Sequence, residues 1–406
     1  MARGQSARLD QKKLLADPIL VTTIIVLIVF LTLFILYPLA ILLVDAVVGE
    51  SGPTLSVLQR VLAMPSFETA ISNTLVLGLF VGIVATLIGL LFAYVEVYVN
   101  LKSRFMSGLF KLVSMLPVVS PPFVLSLSVI LLFGKAGLIT RTLLGIYDNN
   151  VYGFWGIALV QTLTFFPVCY MMFRGLLRNI DPSLEEAARD MGASRWKVFT
   201  SVTLPLILPG MGNAFLVSFM ESIADFANPM IIGGSYDTLA TSIYLQITGA
   251  YDKQGASAMS CVLLGITLIM FIVQKYVLER KSTATLTGKA ARGRMLITDN
   301  SVRIPLSVLC GAVAIFVVAL YICVPFGALF KTWGYDYSLT PKWFIQVFTL
   351  HHGFEAFADS FGLSLIAAPL TALLSMVIAY LVVKRRFAGR GFIEFVSMLA
   401  MAVPGT

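Results

Sequence analysis

TLVLGLFVGIVATLIGLLFAYVEV, from Thr74 to Val97, is the stretch that decides the fold: it carries one charged residue, Glu96, near its end. A helix that crosses the hydrocarbon core of a bilayer needs about 20 mainly apolar residues, and this segment meets that length. The same pattern recurs on both sides of it. Complete stretches run from Ile19 to Val44, Phe110 to Phe133, Phe154 to Phe173, Met211 to Ile232, Met259 to Leu278, Pro305 to Phe330 and Leu363 to Val383, and another begins near Phe392. Across the 406 residues, 58% are hydrophobic and only 12% charged, half the charge of an ordinary soluble domain. The expected architecture is an all-α polytopic transmembrane helical bundle. The first stretch is too long, and lies too far behind a polar tail, for a cleaved signal peptide, so it reads as a retained anchor.

Charge placement orients the bundle. With the amino terminus inside, all but six of the 29 basic residues fall in inside segments; the exceptions are Arg60, Lys135, Arg141, Lys253, Lys331 and Lys342. This is the bias that orients membrane proteins, and it gives the net charge of +8 a role in topology and not in binding nucleic acid. Cys169, Cys261, Cys310 and Cys323 lie in apolar segments without paired spacing, which argues against a disulfide framework or zinc site. His351-His352, adjacent on an outside loop, read as a solvated loop, and no metal site or cofactor is expected.

The chain also repeats itself. Pro38 has a counterpart in Pro325, Phe67-Glu68 in Phe354-Glu355, Ala93-Tyr94 in Ala379-Tyr380, Val113-Ser114-Met115-Leu116 in Val396-Ser397-Met398-Leu399, and Pro121 in Pro404, all in collinear order. The repeat holds about six spans, so its copies are parallel. The expected division is a tail over 1–16, a first transmembrane domain over 17–282, an inside linker over 283–303 and an incomplete second domain over 304–406, which stops before its own large inside loop.

The longest inside loop of the first copy, Arg174 to Pro209, carries two helix signals. Asp181-Pro182 starts a helix, because Pro at the first position gives up only an amide that lacks a partner anyway. Leu184, Ala187, Ala188 and Met191 form its apolar face, and Gly192 ends it in the left-handed region. Ser194 caps a second helix, which Pro205 and Pro209 are expected to stop before the fifth span.

Glu186-Ala187-Ala188, Gly192 and Val202-Thr203-Leu204-Pro205 stand at the spacing of the EAA signature, and on these residues the chain resembles the permeases of binding-protein-dependent ABC importers, best from Asn73 to Leu278. The resemblance implies an ABC importer permease fold in a bacterial inner membrane. It also implies that Glu186, Ala187, Ala188, Gly192, Leu204 and Pro205 couple the chain to a dimer of ATPase subunits, with a periplasmic substrate-binding protein as second partner. No complete phosphate-binding loop occurs: Thr287-Gly288-Lys289-Ala290 lacks the first glycine and the hydroxyl residue. The chain is thus expected to be a transport subunit and not itself an enzyme.

Glu221 and Asp225, an i,i+4 pair expected on one face of the fifth span, precede Asn228-Pro229, expected to interrupt it. Carboxylates in a span face a cavity or a partner, so the three residues either line the translocation path or pack helices together. The segment Ala224-Asp225-Phe226-Ala227-Asn228-Pro229 is similar to fused two-copy ferric-iron permeases, with 2-aminoethylphosphonate, polyamine and thiosulfate or sulfate permeases as alternatives. An ion-gradient-driven transporter is the competing class. Glu96 is expected to snorkel or to pair with Lys102, and Pro117, Pro121 and Pro122 to kink or unwind the third span.

Overall fold

The computed structural model describes residues 17–49, 52–121, 123–278, 296–349, 353–385, 387 and 389–402. The tail over 1–16, Pro122, most of the expected linker with its Thr287 to Ala290 segment, His351-His352 and the repeat partner Pro404 lie outside these.

Among the described residues, eight helices are long and apolar enough to cross a membrane. They are α1 (Pro18–Val47), α3 (Pro65–Tyr98), α6 with its π turn (Phe123–Leu143), α7 (Phe154–Asn179), α9 (Arg195–Ala224), α12 (Lys253–Tyr276), α13 (Asn300–Gly327) and α15 (Gly353–Lys384). Shorter helices are α2 (Ser56–Leu62), α4 (Arg104–Val113), α5 (Leu116–Val119), α8 (Pro182–Asp190), α10 (Ala227–Ile232), α11 (Leu239–Thr248), α14 (Lys342–Thr349) and α16 (Arg390–Ala402). Two small antiparallel ribbons, Val48–Gly49 with Gly52–Pro53 and Phe330–Thr332 with Asp336–Leu339, close the turns after α1 and α13. Among the described residues these ribbons and an isolated bridge between Val99 and Ile297 are the β exceptions to a helical chain.

The third and fifth spans differ from the sequence expectation. α4 ends at Val113, α5 occupies a single turn, and α6 starts only at Phe123, so the segment is broken where Pro117 and Pro121 lie and the span begins after them. α9 instead starts early and continues through Pro205 and Pro209. A π turn over Phe199–Thr203, in which the Leu204 amide donates to the Phe199 carbonyl, lies immediately before Pro205. The shift in register lets the helix accept a proline that would otherwise end it.

α3 and α7 form the spine. A Cβ built on Gly89 would lie 2.5 Å from Cys169 Cβ and 2.7 Å from the Tyr170 amide nitrogen, so the two backbones approach as closely as a missing side chain allows, the way membrane helices gain packing contact. Around this pair, Phe92, Phe166, Phe173 and Leu177 are buried with α13 residues Cys310, Ala314 and Val317 in one core. A second core joins α2 and the start of α3 to α9, α11 and α12. Leu20, Ile24 and Leu27 of α1 pack against Leu381 of α15 and Ile393 and Val396 of α16. At the end of the bundle away from the α7–α9 loop, Lys253 reaches Asp45 at 2.8 Å and Arg60 reaches Asp252 at 3.0 Å.

Candidate coupling site

The loop between α7 and α9 is built by local capping. The Asp181 side chain accepts from the Ser183 amide at 3.0 Å, and that amide, with the Ser183 hydroxyl, holds the Asp181 carboxyl below the ordinary aspartate range. At the far end of α8, Gly192 has φ +87°. Its amide donates to the Arg189 carbonyl at 2.7 Å, and the Ala193 amide to the Ala188 carbonyl at 3.1 Å. Those two bonds define a Schellman ending, which needs a left-handed residue where Gly192 stands. The Ser194 hydroxyl then accepts from the Lys197 amide at 3.3 Å and opens α9.

Three of the four residues expected on the apolar face of α8 point outward, and Ala188 points inward. Leu184, Ala187 and Met191 are exposed, as are Gly192 and Trp196, and Glu186 is half-buried, whereas Pro182, Glu185 and Ala188 face the bundle. Among the motif residues, then, Glu186, Ala187 and Gly192 share the open surface and Ala188 seats the helix. Leu204 packs on the main core, and Pro205, the next residue of α9, is exposed.

Glu185 was not singled out in the sequence, yet it is the buried acid of the loop. Tyr98 Oη donates to its Oε1 at 2.6 Å and Thr203 Oγ1 to the same oxygen at 2.8 Å. Its spacing from Pro182 and Ala188 was the available signal, because residues three apart share a helix face. Glu96 pairs with Arg174 and Arg178 of α7, each at 2.9 Å, and accepts from the Tyr170 hydroxyl. This corrects the expected pairing with Lys102: the partners stack at successive turns of the neighbouring helix.

The break in the fifth span falls at Asp225, whose backbone is extended (φ −75°, ψ 119°). Asp225 therefore leaves the helical face that holds Glu221. Asn228-Pro229 does not interrupt the helix but sits in the first turn of α10, where an amide missing from proline has no helical partner to lose. Asp225 Oδ1 accepts from the amides of Ala227 and Asn228 at 3.1 and 3.4 Å; Oδ2 accepts from Gln161 Nε2 at 2.9 Å and Asn228 Nδ2 at 2.8 Å. Ser126 Oγ donates to Asn228 Oδ1 at 2.8 Å. The carboxylate thus caps α10 and ties it to α7, the geometry of a packing group, while Glu221 is exposed. Among the described residues no three His, Cys, Asp or Glu side chains gather as a metal site would require.

The sequence matches the family described as binding-protein-dependent transport system inner membrane component over residues 85–283, a range that contains α8 and the whole capped loop. A molybdenum transport system permease protein, ModB of Haemophilus influenzae, is 30% identical over 43% of this chain and 79% of its own length. The chain belongs to this family. It is a multi-pass inner-membrane transport component. The ferric transport system permease protein FbpB of Actinobacillus pleuropneumoniae is 37% identical over 97% of this chain, and the putative FbpB 1 of Haemophilus influenzae is 35% identical over the same share. The chain spans 58% and 63% of the length of these two relatives. Among solved structures, a chain of a bacterial alginate ABC transporter in complex with its alginate-bound periplasmic protein superposes with a TM-score of 0.57 at 16% identity, covering 68% of this chain and 98% of that one. The fold is shared.

Proposed function

We infer that this chain is permease sequence from an ATP-binding-cassette importer, that its α7–α9 loop faces the cytoplasm, and that ferric iron is the substrate carried. The observation behind this reading is the loop itself: a short helix with Glu186, Ala187 and Gly192 on its open side, held by caps at both ends, within the segment that matches the family. Such a surface suits docking of a separate ATPase subunit, and the crowding of arginines at this end supports the inside assignment. ATP is then hydrolysed by the partner, and a periplasmic binding protein delivers substrate to the opposite end. The ferric assignment draws on the FbpB relatives, whose likeness runs along nearly the whole chain. The division into a first domain over 17–282, a linker over 283–303 and the start of a second domain at 304 draws on the collinear repeat.

Reconstitution of the intact importer with its ATPase and binding protein in liposomes tests the reading. Uptake of ferric iron is expected to require internal ATP and to persist when ion gradients are collapsed. Uptake that follows an ion gradient without ATP would overturn the importer class; ATP-driven uptake of molybdate or spermidine in preference to ferric iron would overturn the substrate.

A further inference from the structure

Glu185, Tyr98 and Thr203 meet at the root of the coupling loop and are 5%, 4% and 2% exposed. A buried carboxylate is retained only where donors compensate its lost hydration. Here two hydroxyl donors come from other elements: Tyr98 is the last residue of α3, and Thr203 is the last residue of the π turn in α9. The inward face of α8 otherwise presents Pro182 and Ala188, small apolar side chains that supply contact without direction.

We propose that Glu185 is a positioning residue for energy coupling: its carboxylate clamps the coupling helix to the ends of α3 and α9, so that displacement of α8 moves both spans together. This rests on the importer reading above. Hydrogen bonds to a charged acceptor are directional and stronger than neutral ones, whereas apolar contact alone lets a short helix slide. The clamp grips α9 where its ladder is already shifted by the π turn, a common form of adjustable point in a helix. The α3 end of the clamp is also tied to α13. The Tyr98 carbonyl accepts from the Ile297 amide at 2.7 Å, the Asn100 amide donates to the Ile297 carbonyl at 3.0 Å, and Asp299, the residue capping α13, pairs with Arg195 at 3.3 Å. A movement imposed on α8 therefore reaches three spans, among them α9, which carries Glu221 and ends at the Asp225 break.

The test compares Glu185→Ala, Glu185→Gln and Tyr98→Phe in the intact importer, with substrate taken up per ATP hydrolysed as the first readout. Glu185→Ala is expected to lower that ratio about tenfold, the scale set by a lost charge-assisted hydrogen bond. Glu185→Gln keeps an acceptor oxygen for both hydroxyls and is expected to restore most of it. Adding Tyr98→Phe to Glu185→Ala should lower it no further. The second readout is amide hydrogen exchange over residues 182–203 of the purified chain, which needs neither ATP nor substrate: exchange should rise in Glu185→Ala and return near its original rate in Glu185→Gln. Unchanged exchange in Glu185→Ala, an unchanged transport ratio, or additive losses from Tyr98→Phe would each overturn the clamp. Failure of the unaltered importer to use ATP would instead count against the importer reading, with the exchange result still deciding whether Glu185 holds the loop.

Discussion

Arg174 Nε lies 2.9 Å from Glu96 Oε1, joining α7 to α3 at the arginine-rich end of the bundle, with Arg178 one turn on making a second 2.9 Å contact to the same oxygen. The Glu96 side chain is largely buried and Arg178 largely exposed, so the Arg174 bond should outweigh the other. Replacing Arg174 with Ala is expected to destabilise the chain by about 2 kcal/mol, the range for a hydrogen bond to a charged group. Arg178→Ala should change stability by less than about 1 kcal/mol. Thermal unfolding in detergent ranks the two, and an equal fall in Tm would show that Glu96 does not depend on Arg174.

The backbone at Gly192 sets a graded series. No atom lies within 4 Å of a Cβ built there, so the chain itself offers no clash and the restriction comes from φ +87°. A side chain in the left-handed region costs roughly 1–2 kcal/mol, and a β-branched one more, while Asn tolerates it. ATPase stimulation by loaded binding protein should fall in the order Gly192, Asn, Ala, Val. The membrane bundle should still insert, because no span is altered. Equal stimulation by Gly192→Val would separate the glycine from coupling.

Asp225 and Glu221 are expected to respond differently. In Asp225→Asn one acceptor becomes a donor facing Gln161 Nε2 and Asn228 Nδ2, so the network loses at least one bond and stability should fall by about 1–3 kcal/mol. Glu221→Gln alters an exposed group and should leave the unfolding temperature unchanged; on the path reading it lowers uptake. A stable Asp225→Asn with impaired uptake would move Asp225 from packing to the path.

Sidedness is checked by labelling. In a variant without Cys169, Cys261, Cys310 and Cys323, a cysteine at Ser183, on the exposed side of α8, should react with impermeant reagent only after the inner face is opened. Reaction in intact spheroplasts would invert the proposed topology.

Much of the candidate site was legible because its determinants are local. The Asp181 cap, the Ser194 cap and the left-handed turn at Gly192 each depend on residues within one helical turn of one another, and the spans follow from runs of apolar side chains that water excludes. Boundaries were harder to read around proline. Proline alone predicts a stop at Pro205 and Pro209, yet α9 runs through both, with a π turn, a matter of backbone register, ending two residues before the first.

By itself, then, the sequence determined that the chain is a helical membrane protein with a charge-biased topology and a capped loop of recognisable spacing, because hydropathy, charge and capping act along the chain over short distances. The tertiary structure decided which acids are partnered. Glu185 receives a hydroxyl 87 positions away, Glu96 an arginine 78 away and Asp225 an amide 64 away. Those pairings depend on how α3, α7 and α9 pack, and the close approach at Gly89 that brings α3 against α7 has no expression in the order of residues alone.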